Sequence, residues 1–365
     1  MAKRRISLYF KGLYWSLALA VGLLAAPDAD AQAKSRTRAA KAKTQKVKAA
    51  KSKAAPARAA ENDALTEWEL INGAAIELRA RLVRQPRGEP MRRQLADLAL
   101  RSAIGAERAL AIGDASLFDS YRRQFVEQFQ DVHWRIERRA ERSGTASYAA
   151  GILALHGYMA APDVQTACRH FDAALAKGYA GAKFRLSQCL EKDDPARAGR
   201  FMREAADSGH PAAAELVGRA CLEAKPVQAD CAWERLTMAA AAGRPSAQSV
   251  LAWMYSQGVG GKPDPARAAR LYLQAARAGD AAAQNNAGEL YETGRGVKAD
   301  PKRAFDWYRK AAEAGFAAAQ FNLGRLHASG TGPERDFTEA RKWLEKAEQG
   351  GIRAARPLLD WMDKQ

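Results

Sequence analysis

The four cysteines and five histidines are the residues of this chain whose types most readily do chemistry. Cys168 and Cys189 lie ten and eleven residues to either side of Gly178, which sets them opposite one another on antiparallel helices joined at that glycine. Cys221 and Cys231 flank a short connection between the end of one helix and the start of the next. An even count at hairpin-compatible spacing predicts two local disulfides, and with them an oxidising compartment. The competing arrangements are a Cys189 to Cys221 bridge and four buried thiols filling small core sites. His133, His156, His170, His210 and His327 show no pair at metal-ligand spacing on a shared helix face, so no metal or other cofactor is expected. The Gly-x-Gly sequences beginning at Gly258, Gly294 and Gly330 invite a phosphate-loop reading. They stand between helices and recur every 36 residues, which makes them structural turns. Acidic residues fall on helix faces and at caps rather than as an isolated acid–base pair. No enzyme is expected.

The elements that must hold these residues form a repeat. Gly178, Gly209, Gly243, Gly279, Gly315 and Gly351 follow at intervals of 31, 34, 36, 36 and 36 residues. Eleven residues before each stands Ala167, Ala198, Ala232, Ala268, Ala304 or Ala340, and four before stands Ala174, Ala205, Ala239, Ala275, Ala311 or Ala347. Seven before comes Phe171, Met202, Leu236, Tyr272, Tyr308 or Leu344. Steps of four, three and four put all of these on one face of a helix. Alanine lets a neighbouring helix approach closely, and glycine supplies the left-handed residue that ends the helix. Fifteen before the glycine, Asp163, Asp194, Asp264, Asp300 and Asp336 read as N-caps, and only Gln228 departs from the pattern. After each glycine a second helix carries alanine four along and Leu186, Val217, Leu251, Ala287, Leu323 or Leu359 eight along. A lone helix pair cannot bury both faces, so neighbouring pairs must stack into an all-α solenoid.

The stretches LAWMYSQGVG, AGELYETGRGVKADPKRAFDWYRKAAEAG and LGRLHASGTG resemble Sel1-like repeats, relatives of tetratricopeptide repeats, with the resemblance covering residues 144–365. It implies a right-handed α-solenoid whose groove binds other proteins or peptides, often in exported or host-contacting bacterial proteins, without catalysis. On this reading residues 144–351 hold six repeats and residues 352–365 a C-terminal capping helix. Within the helix that follows each glycine, positions six and ten along share a face and avoid the repeated Ala and Leu positions. They hold Glu215 with Arg219, Ser249 with Trp253, Asn285 with Glu289, and Phe321 with Arg325. These vary while the core sites repeat, the pattern expected of an exposed partner-binding wall. An ordinary solvated helix face is the alternative.

Residues 62–143 read as three further helices, separated near Pro86 to Pro90 and at Gly113, with Phe118, Tyr121, Phe125, Val132 and Ile136 as one core stripe. Upstream, Lys3, Arg4 and Arg5, an apolar run from Leu13 to Ala26, and Ala29 and Ala31 make the order of a signal peptide, residues 1–31, cleaved after Ala31. The Arg4–Arg5 pair also allows the twin-arginine route. An uncleaved inner-membrane anchor or a cytoplasmic chain are the alternatives. The net charge is +17, yet residues 32–60 alone hold ten cations and no acid. They fall in a Lys/Ala-rich linker, residues 32–61, that is expected to be disordered. Through residues 34–58 it can touch polyanions such as lipid headgroups, lipopolysaccharide or cell-wall polymer. Together these features point to a monomeric, periplasmic or secreted adaptor that binds a protein or peptide of the bacterial envelope. A cell-wall or polysaccharide-associated factor, binding through the basic tail and N-terminal helices, is the rival. A cytoplasmic DNA-associated protein is the third reading.

Overall fold

The computed structural model describes residues 57–84, 88–331 and 335–364, giving the backbone alone for residues 57–64 and Arg84. The expected signal peptide and linker residues 32–56 lie outside the described residues. Among the described residues there is no strand; seventeen α-helices and one 3-10 turn make up the fold. They divide into two compact units, one ending at Ala220 and one beginning at Cys221.

The first unit opens with α1 (Ala57–Arg84), α2 (Glu89–Ile112), α3 (Ala115–Phe129) and α4 (Trp134–Ala140). The first helix begins inside the stretch expected as linker, because Ala57, Arg58, Ala59 and Ala60 are good helix formers that extend it backwards. Where one helix was expected after Gly113, there are two. The interruption is tertiary: Arg79 from α1 donates to the Gln128 carbonyl at 3.0 Å and to the Asp131 carboxylate at 2.8 Å, pinning the turn between α3 and α4. The expected apolar stripe still faces the core. Tyr121, Phe125, Val132 and Ile136 are buried with Ile71, Leu95 and Phe129, and Phe118 packs at the edge.

Helix pairs follow: α5 (Gly144–His156) with α6 (Val164–Ala176), then α7 (Lys183–Cys189) with α8 (Pro195–Asp207). α9 (Pro211–Glu223) runs across the unit boundary. The second unit continues with α10 (Ala229–Ala241), α11 (Pro245–Gln257), α12 (Pro265–Arg277), α13 (Ala281–Thr293), α14 (Pro301–Glu313), α15 (Ala317–Ser329), α16 (Phe337–Gln349) and α17 (Ala355–Met362).

The repeat pattern explains these boundaries residue by residue. Asp163, Asp194, Asp264, Asp300 and Asp336 each accept an N–H of the first turn, while Gln228 makes no side-chain cap. All six ladder glycines have φ between 83° and 94°, the left-handed conformation that ends a helix. The alanines eleven and four before each glycine are buried throughout. In the Gly-rich connections, the N–H of Asp264 and of Asp300 donates back to the carbonyl of Tyr255 and of Tyr291, at 2.9 and 2.8 Å. A Cβ on Gly296 would sit 2.3 Å from the Pro265 carbonyl oxygen, so only glycine fits where that loop lies on α12. These contacts are those of structural turns.

Candidate functional site

Register alone does not make the sites six after the glycine a surface. Glu215, Ser249 and Asn285 are buried and Phe321 is half-buried, which corrects the expectation of an exposed row. Asn285 accepts from the Asn322 amide of the next repeat at 3.0 Å. Phe321 packs on the cluster of Leu344, Leu359 and Met362. Among the described residues the buried Ser249 hydroxyl has no hydrogen-bond partner.

The sites ten after the glycine reach further out. Arg219 is half-buried and bonds Glu215 one turn back at 2.9 Å. Trp253 is half-buried against the Ala252, Tyr272 and Leu290 cluster. Glu289 is exposed, with Arg295 at 3.5 Å. Arg325 donates to both carboxylate oxygens of Glu292, at 2.8 and 2.9 Å, and Tyr308 donates to the same carboxylate at 2.8 Å. Burial, then the Glu292 hydrogen bond, pushes the Tyr308 phenol far above its ordinary range. Both arginines are therefore engaged by carboxylates of their own chain, and α13 is tied to α15 through Asn285 with Asn322 and Glu292 with Arg325.

One member of this row escapes the four-unit reading. Trp361 stands ten residues after Gly351, in the register of Trp253 and Arg325, and is 42% exposed. It lies edge-on to Phe337, itself exposed, with ring centroids 5.9 Å apart. Leu358, three residues before it, packs on the same cluster as Phe321. The 36-residue step from Arg325 lands on Trp361, inside the segment that the sequence assigns to a capping helix. Trp361 and Phe337 thus make an exposed aromatic pair on α17 and α16, while Phe321 and Leu358 pack on the Leu344 and Leu359 cluster.

The first unit holds a different polar centre. Arg185 on α7 donates to both oxygens of Glu107 on α2, at 2.8 and 2.7 Å, and to Gln188 at 2.8 Å. Both members of the pair are largely buried. Burial pushes the Glu107 carboxyl up, and the facing guanidinium pulls it back only in part. Burial works against the Arg185 charge as well, but Glu107 outweighs it and holds that group above its usual range. Nearby His156 lies edge-on to Phe118 at 5.0 Å. Burial, helped by the Arg185 and Arg122 charges, lowers its pKa to about 4, so the imidazole is neutral across the physiological range.

The cysteines join as Cys168–Cys189 and Cys221–Cys231, with Cα atoms 5.8 and 6.0 Å apart. The first ties α6 to α7 and the second ties α9 to α10, which decides against the Cys189 to Cys221 bridge and against free thiols.

The Sel1 repeat model matches residues 182–210, 245–280, 281–316 and 317–352. No curated protein matches the chain. A solved Sel1 repeat protein from Oxalobacter formigenes is 25% identical, with a TM-score of 0.51, over 67% of this chain and 96% of that one. A protective antigen present in uropathogenic Escherichia coli strains, displaying an SLR fold, is 21% identical with a TM-score of 0.58, over 85% of this chain and 72% of its own, and shares the fold. With their glycine ladder and aspartate caps, these four matched stretches of the chain are Sel1 repeats.

Proposed function

We propose that this protein is a non-enzymatic scaffold of the bacterial cell envelope that holds a protein or peptide partner on the face lined by Trp253, Glu289, Phe321, Arg325 and Trp361. The observation that carries this reading is the exposed Trp361 beside Phe337, in register with the variable positions of the repeats before it. Large exposed aromatic area beside polar groups is what anchors a partner, and the self-paired Arg325 and Glu292 offer polar neighbours along the row. Export is supported by the two disulfides, which persist in oxidising compartments. Among the described residues no helix is long and apolar enough to cross a membrane. Terminal sequencing of the native protein tests export: a chain beginning at Gln32 is expected, and an intact, uncleaved cytoplasmic chain overturns it.

The binding reading is tested by Trp361→Ala. It should weaken capture of an envelope partner by about 2 kcal/mol and leave thermal unfolding unchanged, since a half-exposed anchor contributes more to an interface than to the core. Unaltered capture rejects this face. The ten cations of residues 32–60 favour a second reading, attachment to an anionic surface such as cell wall or lipid. Deleting residues 34–58 separates the two, because attachment through the tail is then lost while capture on the repeat face persists.

A further inference from the structure

The charges around the exposed ring pair of α16 and α17 are unevenly spent. Phe337 opens α16 and Trp361 lies in the last turn of α17, and the two rings meet edge to face. The acids beside them in sequence are each already held. Asp336 accepts the N–H groups of Thr338 and Glu339, at 2.9 and 3.0 Å. Glu339 in turn accepts from Lys342 at 3.0 Å and from the Trp343 indole at 3.1 Å. Asp360 pairs with Arg356 at 3.1 Å, and Asp363 pairs with Arg341. Two cations are left over. Arg335 lies over the Phe337 ring at 5.8 Å, and Lys364 stands one turn past Trp361, its backbone N–H on the Trp361 carbonyl. Both residues are exposed, and neither side chain meets a carboxylate among the described residues. Glu345, an acid without an ion pair among the described residues, stands eight residues past Phe337, about 12 Å along α16.

We propose that this ring pair receives an acidic peptide segment, with an aromatic or branched apolar residue set against Phe337 and Trp361 and neighbouring aspartates or glutamates on Arg335 and Lys364. The inference rests on the partner-binding face proposed above and adds the chemistry of what that face holds. Charge selects the occupant. A carboxylate arriving here gains a partner without breaking an internal pair, whereas an arriving lysine or arginine must compete with Arg341 or Arg356 for an acid. Arg335 offers a planar fork that takes a carboxylate through two hydrogen bonds, and its contact with Phe337 holds that fork beside the apolar anchor. Lys364 adds a point charge one turn from the indole. Both cations are exposed, so they orient the segment while the rings supply most of the affinity. An anionic lipid surface fits less well. The Arg356–Asp360 and Arg341–Asp363 pairs would have to enter it along with Trp361, whereas a peptide touches only the rings and the two free cations.

Fluorescence anisotropy of labelled synthetic peptides with the whole protein reads this directly. The hexapeptide Asp-Asp-Leu-Phe-Glu-Glu should bind, and Lys-Lys-Leu-Phe-Lys-Lys should not. Trp361→Ala should weaken the acidic peptide by about tenfold or more. Arg335→Glu combined with Lys364→Glu should weaken it by about fivefold or more and admit the lysine peptide, with thermal unfolding unchanged in both variants. The ten cations of residues 32–60 are the same in every variant, so the differences report the ring pair alone. Acidic-peptide binding that both variants leave intact overturns the proposal, as does a protein that takes the two peptides equally or takes neither. If neither binds while Trp361→Ala loses capture of the envelope partner, the face stands and its acidic partner is withdrawn. Trp361-dependent binding to phosphatidylglycerol vesicles without peptide binding assigns the pair to lipid and overturns the proposal as well.

Discussion

The most heavily committed side chains lie away from the variable face, at Glu107 and Arg185. A buried ion pair gains little over apolar residues of equal volume, but removing one partner leaves the other charge stranded. Arg185→Ala is accordingly expected to cost about 3–5 kcal/mol, and Arg185→Met with Glu107→Leu to recover most of that loss, measured by denaturant unfolding. His156 makes a pH prediction at the same place. Its folded pKa, held to about 4, lies below the ordinary 6.5, so the unfolded chain takes up the proton first as pH falls. The stability that His156 contributes is complete above pH 6.5 and drains away toward pH 4. After allowing for the partly exposed ring, about 1–2 kcal/mol is at stake. His156→Phe should flatten the unfolding midpoint across that window, and a midpoint that falls as steeply as in the parent excludes His156 as the source. Neither role was legible in the sequence. Glu107 and Arg185 are 78 residues apart with no shared register, and only the packing of α2 against the repeats makes them neighbours.

At the scale of the helix the sequence was far more legible, because caps and helix ends are local. Aspartate fifteen residues before glycine means a cap wherever it occurs, and the one break in the pattern predicts the one cap that fails. Gln228 has φ −92° and ψ 74°, close to Asp114 at φ −92° and ψ 88°, whose side chain does cap its helix, so the backbone already fits. Gln228→Asp should therefore accept a first-turn N–H and raise stability by about 1 kcal/mol, read as a higher denaturant midpoint at unchanged slope. No gain would mean that the α10 start is held by something other than its cap. Sequence periodicity fared worse where neighbouring helices decide. The break between α3 and α4 depends on Arg79 reaching across from α1, and no local turn signal announces it. Burial of Asn285 depends likewise on the next repeat, whose Asn322 bonds it. A helical wheel places a residue on a face but does not say how far the neighbour covers it. The repeat also carries a regular tie: Gln248, Gln284 and Gln320, 36 residues apart, each donate to a carbonyl of the preceding helix at 3.2–3.3 Å.

For the molecule as a whole, each repeat leans on its neighbours, so stability is close to a sum of local terms and is lost locally. The disulfides fall where the repeat pattern is weakest. Cys168–Cys189 joins α6 to α7, and Cys221–Cys231 joins α9 to α10 beside the uncapped Gln228, while the Gly-rich loops appear only from Gly258 onward. Cross-linking stabilises chiefly by restricting the unfolded chain, by about 3 kcal/mol for loops of this size, with the longer loop worth somewhat more. The sequence separations are 21 and 10, so the Cys168–Cys189 bridge should contribute more. Replacing Cys168 and Cys189 together by serine should lower stability by about 3 kcal/mol and raise amide exchange most in α6 and α7, with smaller effects further along the stack. Replacing Cys221 and Cys231 should do the same, slightly less, around α9 and α10. Exchange that rises evenly across every helix would mean that the repeats unfold as one block. Exchange unchanged in both variants would mean that the bridges hold nothing the packing does not already hold.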